Sequence, residues 1–264
     1  MKTKFSWIFY CLVSLLLSQS LSAAERFVTN ESNGFVWIQQ GKAYPILVDS
    51  REDKGVVRAV ANLQTDAGKV TGITPEIIYS VAGNRMLIIG SIENSSWIKQ
   101  LLKAGKINAA DLQGKREKYI LQMVKQPMEG VDEAVVIAGS DKRGTIYGIY
   151  ELSQQMGVSP WYFWADVPVE KHDIISIKEG IYTDGEPAVK YRGIFLNDEW
   201  PCLGNWAGDT FGGFNSKFYE TVFELVLRLK GNFMWPAMWN SAFYDDDPMN
   251  GPLADEMGIV MGTS

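Results

Sequence analysis

The sequence predicts an α/β protein in two parts, an N-terminal domain built on a mixed sheet and a C-terminal β-α-β-α-β unit with parallel strands. Apolar runs rich in β-branched residues alternate along the chain with stretches that have the apolar spacing of a helix. Helical stretches also separate the last three apolar runs, and a helix between two strands of one sheet joins them in parallel. The 264 residues are 46% hydrophobic and 21% charged, which excludes disorder as the main state.

The first 24 residues are typical of a secretory signal peptide. Lys2 and Lys4 precede an apolar run at residues 5–17, and small residues follow up to Ala23 and Ala24. This order predicts cleavage near Ala23 or Ala24 and a secreted or periplasmic mature protein. A membrane anchor is the alternative, but such a run rises only ~20 Å as a helix, against a hydrocarbon core of ~30 Å. We therefore expect no membrane partner after cleavage.

Residues 25–185 are predicted to form the mixed-sheet domain. Apolar runs rich in β-branched residues predict strands at 35–38, 44–48, 76–79, 86–89, 119–124 and 134–138. The first two are expected to pair as a hairpin across Gly41 and Lys42. Helices are expected where apolar residues recur at helical spacing before a glycine, at 54–67, 95–104 and 142–156. The charged, turn-rich stretch 170–187 is interpreted as the passage to the next domain.

Residues 139–144 join a predicted strand to a predicted helix, and such loops can bind a phosphate at the helix N-terminus. This loop lacks the pattern G-x-x-x-x-G-K-[ST], and the chain contains no G-x-G-x-x-G. A tight strand-to-helix turn is favoured over a nucleotide site, and we expect no cofactor. The excess of 31 acidic over 25 basic residues also argues against a nucleic-acid partner.

Residues 186–264 contain the predicted β-α-β-α-β unit. Strands are expected at 192–196, 231–235 and 258–261. The helix between the first two has Asn215 or Ser216 as its N-cap, and a short helix around 253–257 precedes the third strand.

Functional side chains gather just beyond the carboxyl ends of parallel strands. Asn197, Asp198 and Glu199 follow the first strand, and Trp235 and Trp239 follow the second. Indole faces beside carboxylates and amides suit a sugar, because its apolar ring faces stack while its hydroxyls need fixed polar partners.

Asp198 and Glu199 are not expected to serve one reaction together. Neighbouring side chains of an extended chain point in opposite directions, so at most one of the two enters a shared pocket. The other is expected to make a structural hydrogen bond or an ion pair, with Arg192 as a candidate partner.

Metal and thiol chemistry are disfavoured. The run of aspartates at 245–247 does not have the spacing of an EF-hand and is interpreted as a solvated turn, so no metal site is expected. The chain has one histidine, and Cys202 is its only cysteine outside the predicted signal peptide. We expect Cys202 to be a small packing residue, since a thiol nucleophile needs a base.

Three segments of the C-terminal part resemble glycoside hydrolase family 115, the xylan α-1,2-glucuronidases: YRGIFLNDEW at 191–200, KGNFMWPAMW at 230–239 and ADEMGIVMGT at 254–263. Residues 144–152 and 157–161 are similar to the α/β domain that precedes the catalytic barrel in that family and in hexosaminidase-like enzymes. The resemblance implies a hexosaminidase-like N-terminal domain followed by the first β-α-β-α-β part of an incomplete (β/α)8 TIM barrel.

The resemblance implies an exported enzyme that removes glucuronic acid or 4-O-methylglucuronic acid from glucuronoxylan by inverting hydrolysis. It implies that Asp198 is catalytic, positioning or activating the attacking water, and that Asn197, Trp235 and Trp239 bind the substrate. Glu199 is a further candidate for the site.

Members of the family are longer than this chain, and residues 190–264 number about 75, against ~250 for a typical barrel. We therefore expect the reading frame to continue into further barrel strands. The 264-residue chain is expected to be inactive alone, because three strands cannot close a sheet of eight. A non-catalytic carbohydrate-binding protein that uses the tryptophans is the alternative, and the oligomeric state is left open.

Overall fold

The structure is a computed structural model that describes residues 26–262 of the chain. The predicted signal peptide, residues 1–24, lies outside the described residues.

The described residues form three sheets with helices between their strands. The strands are β1 (Val28–Thr29), β2 (Phe35–Gln39), β3 (Lys42–Ala43), β4 (Ile46–Val48), β5 (Ile77–Ile78), β6 (Arg85–Ser91), β7 (Tyr119–Met128), β8 (Val131–Gly139), β9 (Ile174–Ile177), β10 (Ile181–Tyr182), β11 (Gly193–Leu196), β12 (Phe233–Pro236) and β13 (Val260–Met261). The α-helices are α1 (Lys54–Thr71), α2 (Ser96–Lys103), α3 (Lys142–Gln155), α4 (Cys202–Phe211), α5 (Ser216–Arg228), α6 (Phe243–Asp246) and α7 (Asn250–Met257), and Ala109–Asp111 is a 3-10 helix.

The largest sheet is mixed and has six strands in the order β10-β7-β8-β6-β4-β5. Its strands β8, β6, β4 and β5 are parallel to one another. Strand β7 pairs antiparallel with β8, and β10 pairs antiparallel with β7. Leu87 and Ile89 face the core beneath α1 and α3, whereas Met86 and Ile88 face the smaller core beneath α2. Because both faces are covered, the strands are continuous apolar runs instead of alternating ones. The predicted mixed-sheet α/β fold is confirmed.

The second sheet has four antiparallel strands in the order β1-β9-β2-β3. It differs from the prediction in the length of the hairpin and in the role of residues 170–187. The predicted hairpin is shorter than expected: β2 pairs with β3, but the chain leaves the hairpin at Pro45, which has no N–H to donate, and β4 joins the large sheet. The stretch 170–187 is more than a passage between domains, because β9 and β10 lie within it and pair back onto the N-terminal part.

The third sheet, β11-β12-β13, is parallel throughout. Helices α4 and α5 connect β11 to β12, and α6 and α7 connect β12 to β13, which confirms the predicted β-α-β-α-β unit. Asn215 caps α5 as expected, since its side chain accepts hydrogen bonds from the backbone N–H groups of Lys217 and Phe218. Within residues 26–262 these three strands form an open sheet.

The parallel unit packs on helices α1 and α3 of the N-terminal part. The buried side chains of α5 and α7 belong to the same continuous core as those of α1 and α3. Buried polar contacts also cross this junction, among them Arg228, which donates to Asp66 at 2.8 Å, and the Tyr147 hydroxyl, which donates to the Gly231 carbonyl at 2.9 Å. The predicted domain boundary at residues 185 and 186 stays a prediction.

None of the helices between residues 26 and 262 combines the length and the apolar character that crossing a membrane requires.

Candidate active site

The candidate site lies where β11 and β12 end side by side. These strands are parallel, with Leu196 opposite Pro236, and the Ala237 N–H donates to the Leu196 carbonyl at 2.9 Å. Because the ladder continues one residue beyond β12, the segments after the two strands leave from the same edge. We call this the carboxyl edge of the parallel sheet.

Asp198 is fully buried at the carboxyl edge. One carboxylate oxygen, Oδ1, accepts the backbone N–H of Met238 at 2.7 Å. The other, Oδ2, accepts the hydroxyls of Ser241 at 2.7 Å and Tyr219 at 3.1 Å. The carboxylate therefore joins the segment after β11 to the segment after β12 and to helix α5. Its side chain is buried among these donors, and its predicted role with an attacking water stays a prediction.

Tyr219 and Ser241 are residues that the sequence-based prediction missed. Burial raises the pKa of the Tyr219 phenol above its usual 10, and the charge of Asp198 and the hydrogen bond to it raise it further. The phenol thus stays protonated and donates to Asp198 over the ordinary pH range. The signal in the sequence was weak: Tyr219 occupies a buried position of α5 beside Phe223, where a hydroxyl needs a partner.

Trp239 and Trp235 both present indole surface at the carboxyl edge. Trp239 is 69% exposed and lies in the segment that Asp198 holds. Trp235 is 42% exposed and meets Phe195, opposite it on β11, in an edge-to-face contact with ring centroids 5.5 Å apart. Gly262 lies beside Trp235, and a Cβ at this glycine would come within 3.2 Å of the Trp235 side chain. Such exposed aromatic faces can stack on a sugar ring.

The other candidates occupy different positions at this edge. Asn197 is exposed and Glu199 is half-buried. Trp200 packs edge-to-face on Phe214, with ring centroids 5.4 Å apart, and over Gly204 of α4.

The expected pairing of Arg192 with an acid of this edge is wrong. Arg192 precedes β11 and lies at the opposite end of the strand, where it donates to Glu117 Oε2 at 2.7 Å. Strand β11 lies between Arg192 and the two acids, Asp198 and Glu199. Because a strand rises ~3.3 Å per residue, Arg192 is too far from either carboxylate to pair with it.

Two of the aspartates at 245–247, Asp246 and Asp247, accept backbone N–H groups. Asp247 accepts the backbone N–H groups of Ser216 and Met249, each at 2.8 Å, and these bonds hold the pKa of its carboxyl below its usual value. Asp246 accepts the N–H of Ala242 at 2.9 Å. Among the described residues no group of three or more His, Cys, Asp or Glu side chains is arranged to hold a metal ion.

The loop at residues 139–144 carries its own anion. Asp141 caps α3, and its Oδ1 accepts the Gly144 N–H at 2.7 Å, where a phosphate would otherwise bind. A Cβ at Gly144 would lie 2.4 Å from the Lys118 carbonyl oxygen, so this glycine allows a close backbone approach. The geometry favours the tight turn over a nucleotide site.

The fold of the described residues is similar to that of solved β-hexosaminidases and of a chitobiase. Among solved structures, a Streptomyces plicatus β-hexosaminidase in complex with GlcNAc matches with a TM-score of 0.52 and 13% identity, covering 88% of this chain and 43% of that chain. A Flavobacterium johnsoniae chitobiase matches with a TM-score of 0.50 and 12% identity, covering 90% of this chain and 33% of that chain. These likenesses show the fold.

Two further matches point to one family of glycoside hydrolases. The sequence profile described as glycosyl hydrolase family 115 matches residues 184–264. A solved family GH115 4-O-methyl-α-glucuronidase, BtGH115A, named for its specificity for decorated arabinogalactans, matches with a TM-score of 0.75 and 34% identity over 87% of this chain. The chain is thus similar to glycoside hydrolase family 115 both in the profile match of its C-terminal part and in this structural match, and it spans 29% of the length of that structure. The comparison with curated proteins gave no match.

Proposed function

We propose that this chain forms one side of the active site of an α-glucuronidase, which removes glucuronic acid or 4-O-methylglucuronic acid side chains from a polysaccharide. The match of residues 184–264 to family 115 and the similarity to a solved 4-O-methyl-α-glucuronidase support the reaction class. The observation that carries the proposal is a pair of exposed indoles, Trp235 near the end of β12 and Trp239 beyond it, at the edge where this fold class binds its substrates. In this proposal the two indoles and Asn197 contact the sugar.

The reaction needs more carboxyl groups than the carboxyl edge presents. Inverting hydrolysis uses two carboxyl groups ~6.5–9.5 Å apart, one protonating the leaving oxygen and one activating water. At this edge Asp198 is buried and Glu199 is half-buried. The proposal therefore assigns hydrolysis to the complete gene product that contains this chain.

The polymer in this proposal is glucuronoxylan. The solved family 115 structure is named for decorated arabinogalactans, so the two polymers are compared directly. The complete gene product is incubated with each polymer, and the released uronic acid is quantified by chromatography. We expect release from glucuronoxylan, and an absence of uronic acid from both polymers would contradict the proposal.

The indole contribution is measured with Trp239→Ala, with Trp161→Ala as the matched control because Trp161 is an exposed tryptophan of the N-terminal part. Losing an indole that stacks on the sugar removes about 1.5–3 kcal/mol of apolar burial and ring contact, so we expect kcat/KM to fall at least about tenfold. Equal activities of the two variants would show that Trp239 does not contact the substrate.

Carbohydrate binding without hydrolysis is the second candidate, and the exposure of the indoles favours it because stacking needs no carboxylate. Saturable binding of glucuronoxylan by the complete gene product, without release of uronic acid, would select this function.

We also propose that the protein is exported, on the basis of residues 1–24. N-terminal sequencing of the protein from the periplasm or medium is expected to begin just after Ala23 or Ala24. Retention in the cytoplasm with an intact N-terminus would contradict export.

A further inference from the structure

The segment that carries Trp239 has an unfavourable backbone conformation. Met238 and Asn240, on either side of Trp239, have φ angles of 58° and 60°. Residues other than glycine adopt this left-handed region at a cost in free energy, and they persist there only when surrounding contacts hold them. Since Trp239 itself is mostly exposed, its own packing does not supply those contacts.

Asp198 supplies contacts on both sides of Trp239. Its Oδ1 accepts the N–H of Met238, one of the two left-handed residues, at 2.7 Å. Its Oδ2 accepts the Ser241 hydroxyl at 2.7 Å, and this hydroxyl also lies 3.1 Å from the Asp198 backbone carbonyl. One carboxylate thus spans a turn of four residues with the indole between its attachment points.

Tyr219 fixes the carboxylate from the other direction. Its hydroxyl donates to Asp198 Oδ2 at 3.1 Å from the buried face of α5. Its ring packs on Phe223 and Phe243, with centroids 5.9 and 4.7 Å away, so the hydroxyl is carried by a rigid group. Asp198 is therefore held by a helix on one side and holds a turn on the other.

We propose that Asp198, Tyr219 and Ser241 are positioning residues that hold the turn of residues 238–241 so that Trp239 presents its indole to the substrate. The assignment of the sugar as the group that meets Trp239 rests on the proposed function, whereas the support of the turn does not. For Asp198 this replaces the role of positioning or activating water that the family resemblance implies, because a buried carboxylate whose two oxygens both accept protein donors has no exposed oxygen for water.

The two roles of Asp198 predict different results for Asp198→Asn. The amide keeps one carbonyl oxygen for the Met238 N–H, and its NH2 group faces two hydroxyls that can accept as well as donate. A positioning residue then loses little, and the main change is a rise in KM of less than about tenfold. Loss of a water-activating carboxylate instead lowers kcat by roughly 10²–10⁴ at unchanged KM.

The support of the turn is measured without any reaction. Hydrogen exchange of peptides covering residues 237–242 is compared in the wild-type full-length chain, Tyr219→Phe and Ser241→Ala, with Tyr79→Phe as the control because Tyr79 is exposed in the N-terminal part. Removing one donor to Asp198 is expected to speed exchange in this segment roughly five- to tenfold, and the control leaves it unchanged. Circular dichroism checks that each variant is folded, and Ser241→Ala serves if Tyr219→Phe is not.

The outcomes separate this proposal from the proposed function. Faster exchange in both variants, with a modest effect of Asp198→Asn on kcat, supports the positioning role. Unchanged exchange in both variants, or a loss of at least a hundredfold in kcat for Asp198→Asn with wild-type exchange, overturns it. If the complete gene product releases no uronic acid, the proposed function fails while the exchange result still decides whether the three residues support the turn.

Discussion

The two ends of the parallel sheet each bury a carboxylate, but they surround it with different donors. At the carboxyl edge, Asp198 accepts one backbone N–H and two neutral hydroxyls. At the opposite edge, where β11 and β12 begin, Glu117 accepts the guanidinium groups of Arg143 and Arg192. The neutral set holds a turn with an exposed indole, whereas the ionic set joins two parts of the molecule.

The ionic cluster, defined as Glu117, Arg143, Arg192 and Asn232, is built on residues that precede the strands. Arg192 lies directly before β11 and Asn232 directly before β12, and Asn232 donates to Glu117 Oε1 at 2.7 Å. The Arg192 N–H also donates to Asn232 Oδ1 at 2.9 Å, which links the starts of the two strands. In TIM-barrel folds the start of the strands serves stability and the end serves function, and the position of the ionic cluster fits the first part of that division.

The largest expected effect is the loss of the ionic cluster. Glu117→Ala leaves two guanidinium groups without their carboxylate in a mostly buried position. Breaking such a pair destabilises by about 3–5 kcal/mol, and we expect the lower end because both arginines are about a quarter exposed. Urea unfolding of the full-length chain measures this change.

The matched control for Glu117→Ala is Glu179→Ala. Glu179 forms an exposed ion pair with Lys125 at 3.9 Å, and such pairs contribute less than about 1 kcal/mol. Equal losses for the two variants would mean that the ionic cluster contributes no more than a surface pair.

Alanine substitutions at two glycines of α4 test the packing at the carboxyl edge. We expect smaller changes in stability than at the ionic cluster, and of opposite sign at the two positions. A Cβ at Gly204 of α4 would lie 2.4 Å from the Trp200 ring, whereas a Cβ at Gly208 of the same helix meets nothing within 4 Å. We expect Gly204→Ala to destabilise by about 1–3 kcal/mol, because the indole must move. Gly208→Ala is expected to stabilise by about 0.4–1 kcal/mol through helix propensity.

Thermal unfolding of both glycine variants checks the signs, and quenching of tryptophan fluorescence by acrylamide shows whether Trp200 has moved. A stabilising Gly204→Ala would show that Trp200 adapts without cost, so that this side of the carboxyl edge is loosely packed.

Local pattern predicted most of the fold. The β-α-β-α-β unit follows from apolar spacing, and Asn215 is one of the two N-cap candidates that stand before that spacing begins. Helix α4 was missed because its sequence, CLGNWAGDTF, contains two glycines and several poor helix formers. Tertiary contacts fix this helix, among them the contact of Trp206 with Trp164 at a centroid distance of 5.5 Å.

Local pattern also predicted the positions of the candidate site residues, but not their contacts. The sequence placed Asp198 and Trp239 at one edge, since both follow parallel strands, and the structure brings their segments together. It did not predict what Asp198 contacts, because the donors are Tyr219 and Ser241, which lie 21 and 43 residues further along the chain. Only the folded arrangement of α5 and the turn after β12 brings those hydroxyls to one carboxylate.

The smallest expected effect is the pH dependence of the stability that the ionic cluster contributes. Burial raises the pKa of Glu117, but the hydrogen bonds from Asn232 and Arg192 and the charge of Arg143 outweigh it and hold the pKa below its usual 4.5. As the pH falls, the unfolded chain therefore binds a proton at this position before the folded chain does. The stability that Glu117 contributes is complete above pH 4.5 and is lost as the pH falls through the lowered pKa of the folded state.

Glu117→Gln isolates this contribution, because the amide keeps the size of the side chain and does not titrate. The free energy of unfolding of the wild-type chain minus that of the variant is measured by urea titration between pH 7 and pH 3, so that the other acids largely cancel. We expect the difference to be constant near neutrality and to shrink in the acid range, since the charge of the carboxylate is what the two arginines hold. A difference that is flat with pH would assign the cluster's stability to its hydrogen bonds and shape instead of to the charge of Glu117.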